Sequence, residues 1–385
     1  MDSIDTFIAA AHALPPDRLV DVESLAAAAT GARTAQIFIA DYGQRDLRPL
    51  GSTLDEPAVS IDATILGRVF QSGESYVGED HIATPLIEGL DRVGVVDYRY
   101  DGGVTASVEL TEAVSRALLM VLVTKRRYTD LVLTTRRARP LTTAAEMQWD
   151  LLPPLACQAS GASIAGVLEP AYATGGDSFD FAVNGDVLEF IVIDAVGHGM
   201  PAVLKSIAAI TTYRNVRREA GDLHDAYEEI GRVMIDQFGE RYFVTGMIGS
   251  LSMSTGELTW INAGHPQPLL VRNGSAQQSL WCSPSLPMGL GGTVREVQSA
   301  TLQAGDRMLV YTDGVVERRG DPAAAPHLEE LSDLLVRSTL DRLTLEETVR
   351  RLVRSVLDSS DGDLDDDATL VLVEFHGSER GVDTA

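Results

Sequence analysis

Cysteine is almost absent from this chain: Cys157 and Cys282 are the two among 385 residues. With no CxxC spacing they cannot form a disulfide framework or a zinc site unaided, so a reducing, cytoplasmic compartment is expected. Basic residues are also scarce. Lysine and arginine number 31 against 56 acidic residues, a net charge of −25. Long-range repulsion then opposes an encounter with nucleic acid or an anionic membrane, and neither is expected as a partner. Long apolar runs are missing too. The longest, Ala117–Val123, falls far short of the roughly 20 residues that span a bilayer. The opening MDSIDTFIAAAHALPPDR has no basic stretch before its apolar residues, so a signal peptide is not expected. GxSxG, HExxH and GxxxxGK[ST] do not occur, which removes support for a serine hydrolase, a zinc protease or a P-loop enzyme. The acidic run at Asp361 could open a calcium loop, but its sixth position is Asp366 rather than Gly and its twelfth is Leu372 rather than Glu.

What is present is an ordinary apolar fraction, 45%, enough for a sizeable core, and a length that suggests two domains. Residues 1–110 read as an α+β domain, with helices at Leu19–Ala29 and Asp62–Gln71, the latter capped by Asp62. Strands are expected at Ala35–Ala40, Tyr76–Val77, Ala83–Leu86, Val93–Val96 and Val104–Val108. Residues 111–152 form a helical linker broken by Pro140. Its Lys125, Arg126, Arg127, Arg136, Arg137 and Arg139 are the local positive cluster of an acidic chain, suited to acidic surface elsewhere. Residues 165–376 alternate strands with two helices, Met200–Arg218 and Leu223–Phe238, and a helical segment Leu328–Asp358, as a layered sandwich of antiparallel sheets would. Residues 377–385 are a polar tail.

The second domain is organised around GGDSFDFAVNGDVLEFIVIDAVGHG, residues 175–199. Val187–Ile193 is mostly apolar and reads as a buried strand, yet it ends in Asp194 beside a glycine turn. One reading makes Asp194 the cap of the helix that follows; the other makes it a functional carboxylate. The context recurs. Asp177 follows two glycines, Asp313 ends the strand RMLVYTD, and Asp366 and Asp367 stand just before ATLVLVEF. Should these termini converge, carboxylates in contact distance cannot all ionise without a compensating divalent ion. All-oxygen ligation favours Mg²⁺ or Mn²⁺ over zinc. Two such ions bridged by one carboxylate can activate a water and neutralise a phosphate. The competing reading is a set of unrelated turn aspartates.

The segments GGDSFDF, DAVGHGMPA, YFVTGMIGSLSMSTGELTWINAGHPQPLL, SLPMGL, LQAGDRMLVYTDGVVE and DDDATLVLV, in that order, resemble the bacterial, SpoIIE/RsbU-like branch of the metal-dependent type 2C serine/threonine phosphatases. MQWDLLPP resembles the segment leading into that domain. GRVFQSGESYVGED followed by TPLIEGLDRVGVVDY resembles a GAF sensory domain.

The first resemblance implies an α–β–β–α sandwich with two Mn²⁺ or Mg²⁺ ions. Asp194 would bridge them, the Ala195 carbonyl and Asp177 would support the first, and Asp313 and Asp366 would hold the second. A metal-activated water would attack phosphoserine or phosphothreonine directly. Asp367 would stand behind these ligands, and His198 and His265 would be structural. The implied substrate is a phosphorylated STAS-type anti-anti-sigma protein of a partner-switching stress response, with a homodimer through the linker and a small-molecule ligand for the GAF-like domain. Ser178 stands where the family has an aromatic, Ala195–Val196 replace a more usual pair, and no phosphate-binding arginine is evident. The rival reading is a non-catalytic phosphoprotein-binding regulator on the same fold.

Overall fold

The computed structural model describes residues 2–169, 172, 175–277, 280–292, 296–316, 324–359, 364 and 366–377. It divides into two compact units, Met1–Pro140 and Leu141–Ala385. Among the described residues no helix is long and apolar enough to cross a membrane.

The first unit runs α1 (Asp2–Ala13), a 3₁₀ turn, α2 (Val22–Thr30), β1 (Thr34–Ala40), β2 (Asp46–Pro49), β3 (Val59–Ser60), α3 (Ile65–Ser72), β4 (Tyr76–Val77), β5 (His81–Glu88), β6 (Asp91–Arg99), α4 (Val108–Lys125) and α5 (Leu131–Thr135). The described strands form an antiparallel sheet in the order β3-β2-β1-β6-β5-β4. Alternation along β1 separates two cores. Ile37 and Ile39 pack with Phe7, Leu19, Val114 and Leu118 of the surrounding helices, while Phe38 and Ala40 pack with Val69 and Phe70 of α3.

Several boundaries differ from the sequence expectation. Thr64, not Asp62, caps α3, its side chain accepting from the Gly67 N–H at 3.0 Å. Asp62 instead accepts from Gln71 Nε2. The stretch Val104–Val108 is no strand but leads into α4, whose cap is Ser107. The segment 111–152 is shared between the units: α4 and α5 belong to the first, with α4 in its core, and the next helix belongs to the second.

The second unit begins with α6 (Thr143–Leu151), β7 (Ala156–Gln158), β8 (Ala162–Glu169), β9 (Asp177–Asn184), β10 (Val187–Ala195), α7 (Met200–Arg218) and α8 (Leu223–Phe238). There follow β11 (Val244–Ser252), β12 (Glu257–Ala263), β13 (Leu269–Arg272), β14 (Ser275–Gln277), β15 (Gln298–Thr301), β16 (Arg307–Tyr311), α9 (Ala324–Leu340), α10 (Leu345–Asp358) and β17 (Ala368–Phe375). One described sheet has the order β15-β12-β11-β10-β9 and the other β14-β13-β16-β17-β8-β7.

β10 explains why its sequence is apolar at nearly every position. Leu188, Phe190 and Val192 face the other sheet's Ile164, Met308 and Val371, whereas Ile191, Ile193 and Ala195 pack under α7 and α8. A strand covered on both faces has no solvated side to alternate toward. The helical segment Leu328–Asp358 is two helices: Arg342 takes φ +55° and Thr344 caps α10. Val294–Gln298 reads as a strand from the sequence; β15 instead begins at Gln298, and positions 294 and 295 lie outside the described residues. Gly166–Ala173 likewise reads as a strand from the sequence; β8 ends at Glu169, and positions 170, 171 and 173, like positions 378–385 of the tail, lie outside the described residues.

Candidate metal centre

Asp177 opens β9 and Asp194 lies one residue from the end of β10, directly opposite it in the antiparallel register. Asp194 is not a helix cap: α7 starts after Gly199, and no side chain caps it. From the other sheet, β16 ends at Tyr311 opposite Leu370 of β17. Asp313, in the 3₁₀ turn after β16, and Asp366 and Asp367, just before β17, therefore sit at the same sheet end.

A hydrogen-bonded chain joins the two sheets there. The Thr312 hydroxyl donates to Asp177 Oδ2 at 2.6 Å and accepts from the Thr369 N–H at 2.9 Å. From α6, Gln148 Nε2 donates to the Asp177 carbonyl at 2.8 Å.

The close approach depends on glycines. A Cβ on Gly176 would stand 2.0 Å from the Ala195 carbonyl oxygen, and one on Gly314 would stand 1.9 Å from that of Asp367. No side chain survives such a distance to backbone. α7 secures the same corner: Ser206 Oγ donates to the Gly176 carbonyl and Lys205 Nζ to the Val196 carbonyl.

The carboxylates act on one another. Burial, then the charges of Asp367 and Asp194, hold Asp177 well above the usual carboxylate range. Burial, reinforced by Asp313 and Asp366, pushes Asp194 up to about 7, with Lys205 opposing. Burial and Asp366 push Asp367 to about 7. All five acids named from sequence are thus at one edge of the sandwich, with four further side chains that its motifs did not single out: Thr312, Thr369, Gln148 and Lys205. Gln148 carries no local signal because its partner is 29 residues away, and Thr312 is 135 residues from Asp177.

The site suits a hard divalent cation in kind. Its donors are carboxylates and the Ala195 carbonyl, and Asp367 Oδ2 is buried without a hydrogen-bond partner. Among the described residues no three His, Cys, Asp or Glu side chains are drawn together as a finished metal cluster. The carboxylates surround the corner rather than meeting at a point.

The histidines differ. His198 lies exposed in the turn before α7. His265 is buried, holds Asn262 through both backbone groups (2.8 and 2.9 Å), and stands 3.4 Å from the hydroxyl of Thr245, the residue paired with Asp194. Burial pulls its imidazole down to about 3. Below the ordinary histidine value near 6.5 the unfolded chain takes a proton that the folded one refuses, so stability falls toward acid. The slope approaches about 1.4 kcal/mol per pH unit for this one group. His265→Gln should reduce the loss of urea midpoint between pH 7 and 5 relative to the parent chain; equal losses would show that His265 protonates freely in the fold.

A family model described as stage II sporulation protein E (SpoIIE) matches residues 184–376, half of the chain. Phosphoserine phosphatase RsbP of Bacillus subtilis (strain 168) is 27% identical over 147 residues, 37% of this chain and 35% of its own. The crystal structure of the RsbU and RsbW domains of Rv1364c from Mycobacterium tuberculosis superposes with a TM-score of 0.50 at 31% identity, covering 56% of this chain and 62% of that one. The SiaA-PP2C domain of Pseudomonas aeruginosa, at 18% identity and a TM-score of 0.50, shares the fold over 60% of this chain and 94% of its own. The chain thus spans about a third of the length of its curated relative RsbP and under two thirds of the mycobacterial chain. On its ordered motifs and the family match that covers its sheets from β10 to β17, the chain belongs to the SpoIIE family.

Proposed function

We propose that the second unit is a metal-dependent protein serine/threonine phosphatase that hydrolyses phosphoserine or phosphothreonine with water as the nucleophile. The observation that carries this is the placement of Asp177 and Asp194, opposed across β9 and β10, at the same sandwich edge as Asp313, Asp366 and Asp367 from the other sheet. A phosphoserine phosphatase among the relatives supports the reaction class. Asp194 would bridge two ions, Asp177 and the Ala195 carbonyl would hold one, and Asp313 and Asp366 the other. When bound, Mn²⁺ or Mg²⁺ supplies the charge that neutralises the phosphoryl group and eases removal of a proton from the attacking water. The chain's own contribution is placement. Thr312 and Gln148 hold Asp177 at its carboxylate and at its carbonyl, and the β9–β10 ladder keeps it opposite Asp194.

The first unit is a GAF-like sensory domain in this reading, as an antiparallel sheet with helices on both faces allows. An open surface groove of about 640 Å³ lined by Ile8, His12, Ala117, Met120, Val121 and Tyr128 is large enough for a small-molecule ligand. The linker at 111–152 would pair two copies and carry the signal, in the cytoplasm, and the substrate would be a phosphorylated STAS-type anti-anti-sigma protein. The test is phosphate release by the full chain with Mn²⁺ from a phosphoserine peptide, a phosphotyrosine peptide and a phosphorylated STAS protein. Release from the phosphoserine substrates alone is expected. Capture of the phosphoprotein without release would favour the non-catalytic regulator.

A further inference from the structure

A lysine ammonium is rarely closed off from water unless something holds it. Lys205 on α7 is 3% exposed. Two contacts hold it: its Nζ donates to the Val196 carbonyl and stands 4.7 Å from the ring centroid of Tyr242. Burial pulls the ammonium below the usual lysine range, and the charge of Asp194 opposes that shift. Val196 is next to Ala195, whose carbonyl faces Gly176, and the neighbouring Ser206 secures the Gly176 carbonyl. Lys205 therefore sits against the turn that presents Asp194 and Ala195.

We propose that Lys205 is a built-in counter-cation of the Asp194 corner. Anchored on Val196, its ammonium neutralises part of the carboxylate charge while no metal is bound. It thereby lets the corner fold in the metal-free chain and raises the metal concentration needed to fill the site. The inference rests on the metal-site reading above. It makes Lys205 a positioning residue, acting through Asp194 and the turn rather than on the phosphate. Two opposite effects of one charge follow: stabilisation without metal, and competition with it.

The experiment is a Mn²⁺ titration of the full chain by calorimetry, with Lys205→Gln, which keeps a donor for Val196 but removes the charge, and Lys205→Arg, which keeps the charge. Lys205→Gln is expected to bind Mn²⁺ on the order of tenfold more tightly, from the loss of one nearby positive charge, and Lys205→Arg to change much less. Melting midpoints give a second readout. Lys205→Gln should melt lower than the parent without metal and gain more from saturating Mn²⁺. Lys205→Met, which preserves the packing of the aliphatic stem, must move both quantities the same way if the Gln variant folds poorly. Affinity that is unchanged or weaker in the neutral variants, while the parent binds Mn²⁺, overturns the counter-cation alone. A parent chain that takes up no Mn²⁺ overturns the metal site and this inference together.

Discussion

Asp194→Asn is expected to lower Mn²⁺-dependent phosphatase turnover by at least about 10³-fold, the scale on which removing one fixed electrostatic group acts. The metal-free chain should at the same time melt no lower than the parent. Both effects come from the same carboxylate. Asp194 is the residue that faces Asp177 across the ladder while also feeling Asp313 and Asp366 from the other sheet, so it is placed to serve both halves of the site. The same position makes it costly without a metal: burial and two neighbouring acids push it up to about 7. Asparagine has the same shape and no charge, so it removes the repulsion along with the ligand. Loss of turnover with a large fall in melting temperature would instead mean that Asp194 matters for folding, and the functional assignment would lose its main support.

Gly176→Ala should be strongly destabilising. The new Cβ would lie 2.0 Å from the Ala195 carbonyl oxygen, a methyl against backbone, where no rotamer change relieves the contact. Separating β9 from the end of β10 breaks the approach of Asp177 to Asp194 and disturbs the Gly176 carbonyl that accepts from the Ala195 N–H at 3.1 Å and from Ser206. A cost of about 3 kcal/mol or more is expected. For a unit of this size that lowers the melting midpoint by roughly 6–12 °C. Gly185→Ala, at a turn with open space around it, removes a left-handed glycine (φ +59°) without a clash and should cost less. Equal losses in the two variants would show that the close approach to Ala195 does not require glycine at 176.

Much of the second unit was legible because its signals are local or periodic. α7 and α8 have the bounds that their sequence suggests, Met200–Arg218 and Leu223–Phe238. The acids were legible because aspartate at the end of an apolar strand has no solvation reason to be there. What stayed hidden depends on chain pairings far apart in sequence. Nothing near Gln148 or Lys205 says that the one reaches Asp177 and the other Val196; both partners are set by how α6 and α7 lie on the sheet. Asp62 and Thr64 are both good caps, and the choice fell to Thr64 because it also bonds the Ser60 carbonyl at 2.7 Å. Val104–Val108 has apolar residues at strand spacing, but Ser107 starts a helix through its bond to the Leu110 N–H. In the long helical stretch after Leu328, the left-handed Arg342 marks a break that composition conceals.

The most direct test of the account is hydrolysis of p-nitrophenyl phosphate by the full chain after treatment with EDTA, then with Mn²⁺ restored. Turnover that vanishes with the chelator and returns with the metal is the predicted result. Turnover that persists unchanged in EDTA would contradict it, because the chemistry would then not depend on a metal held by these carboxylates.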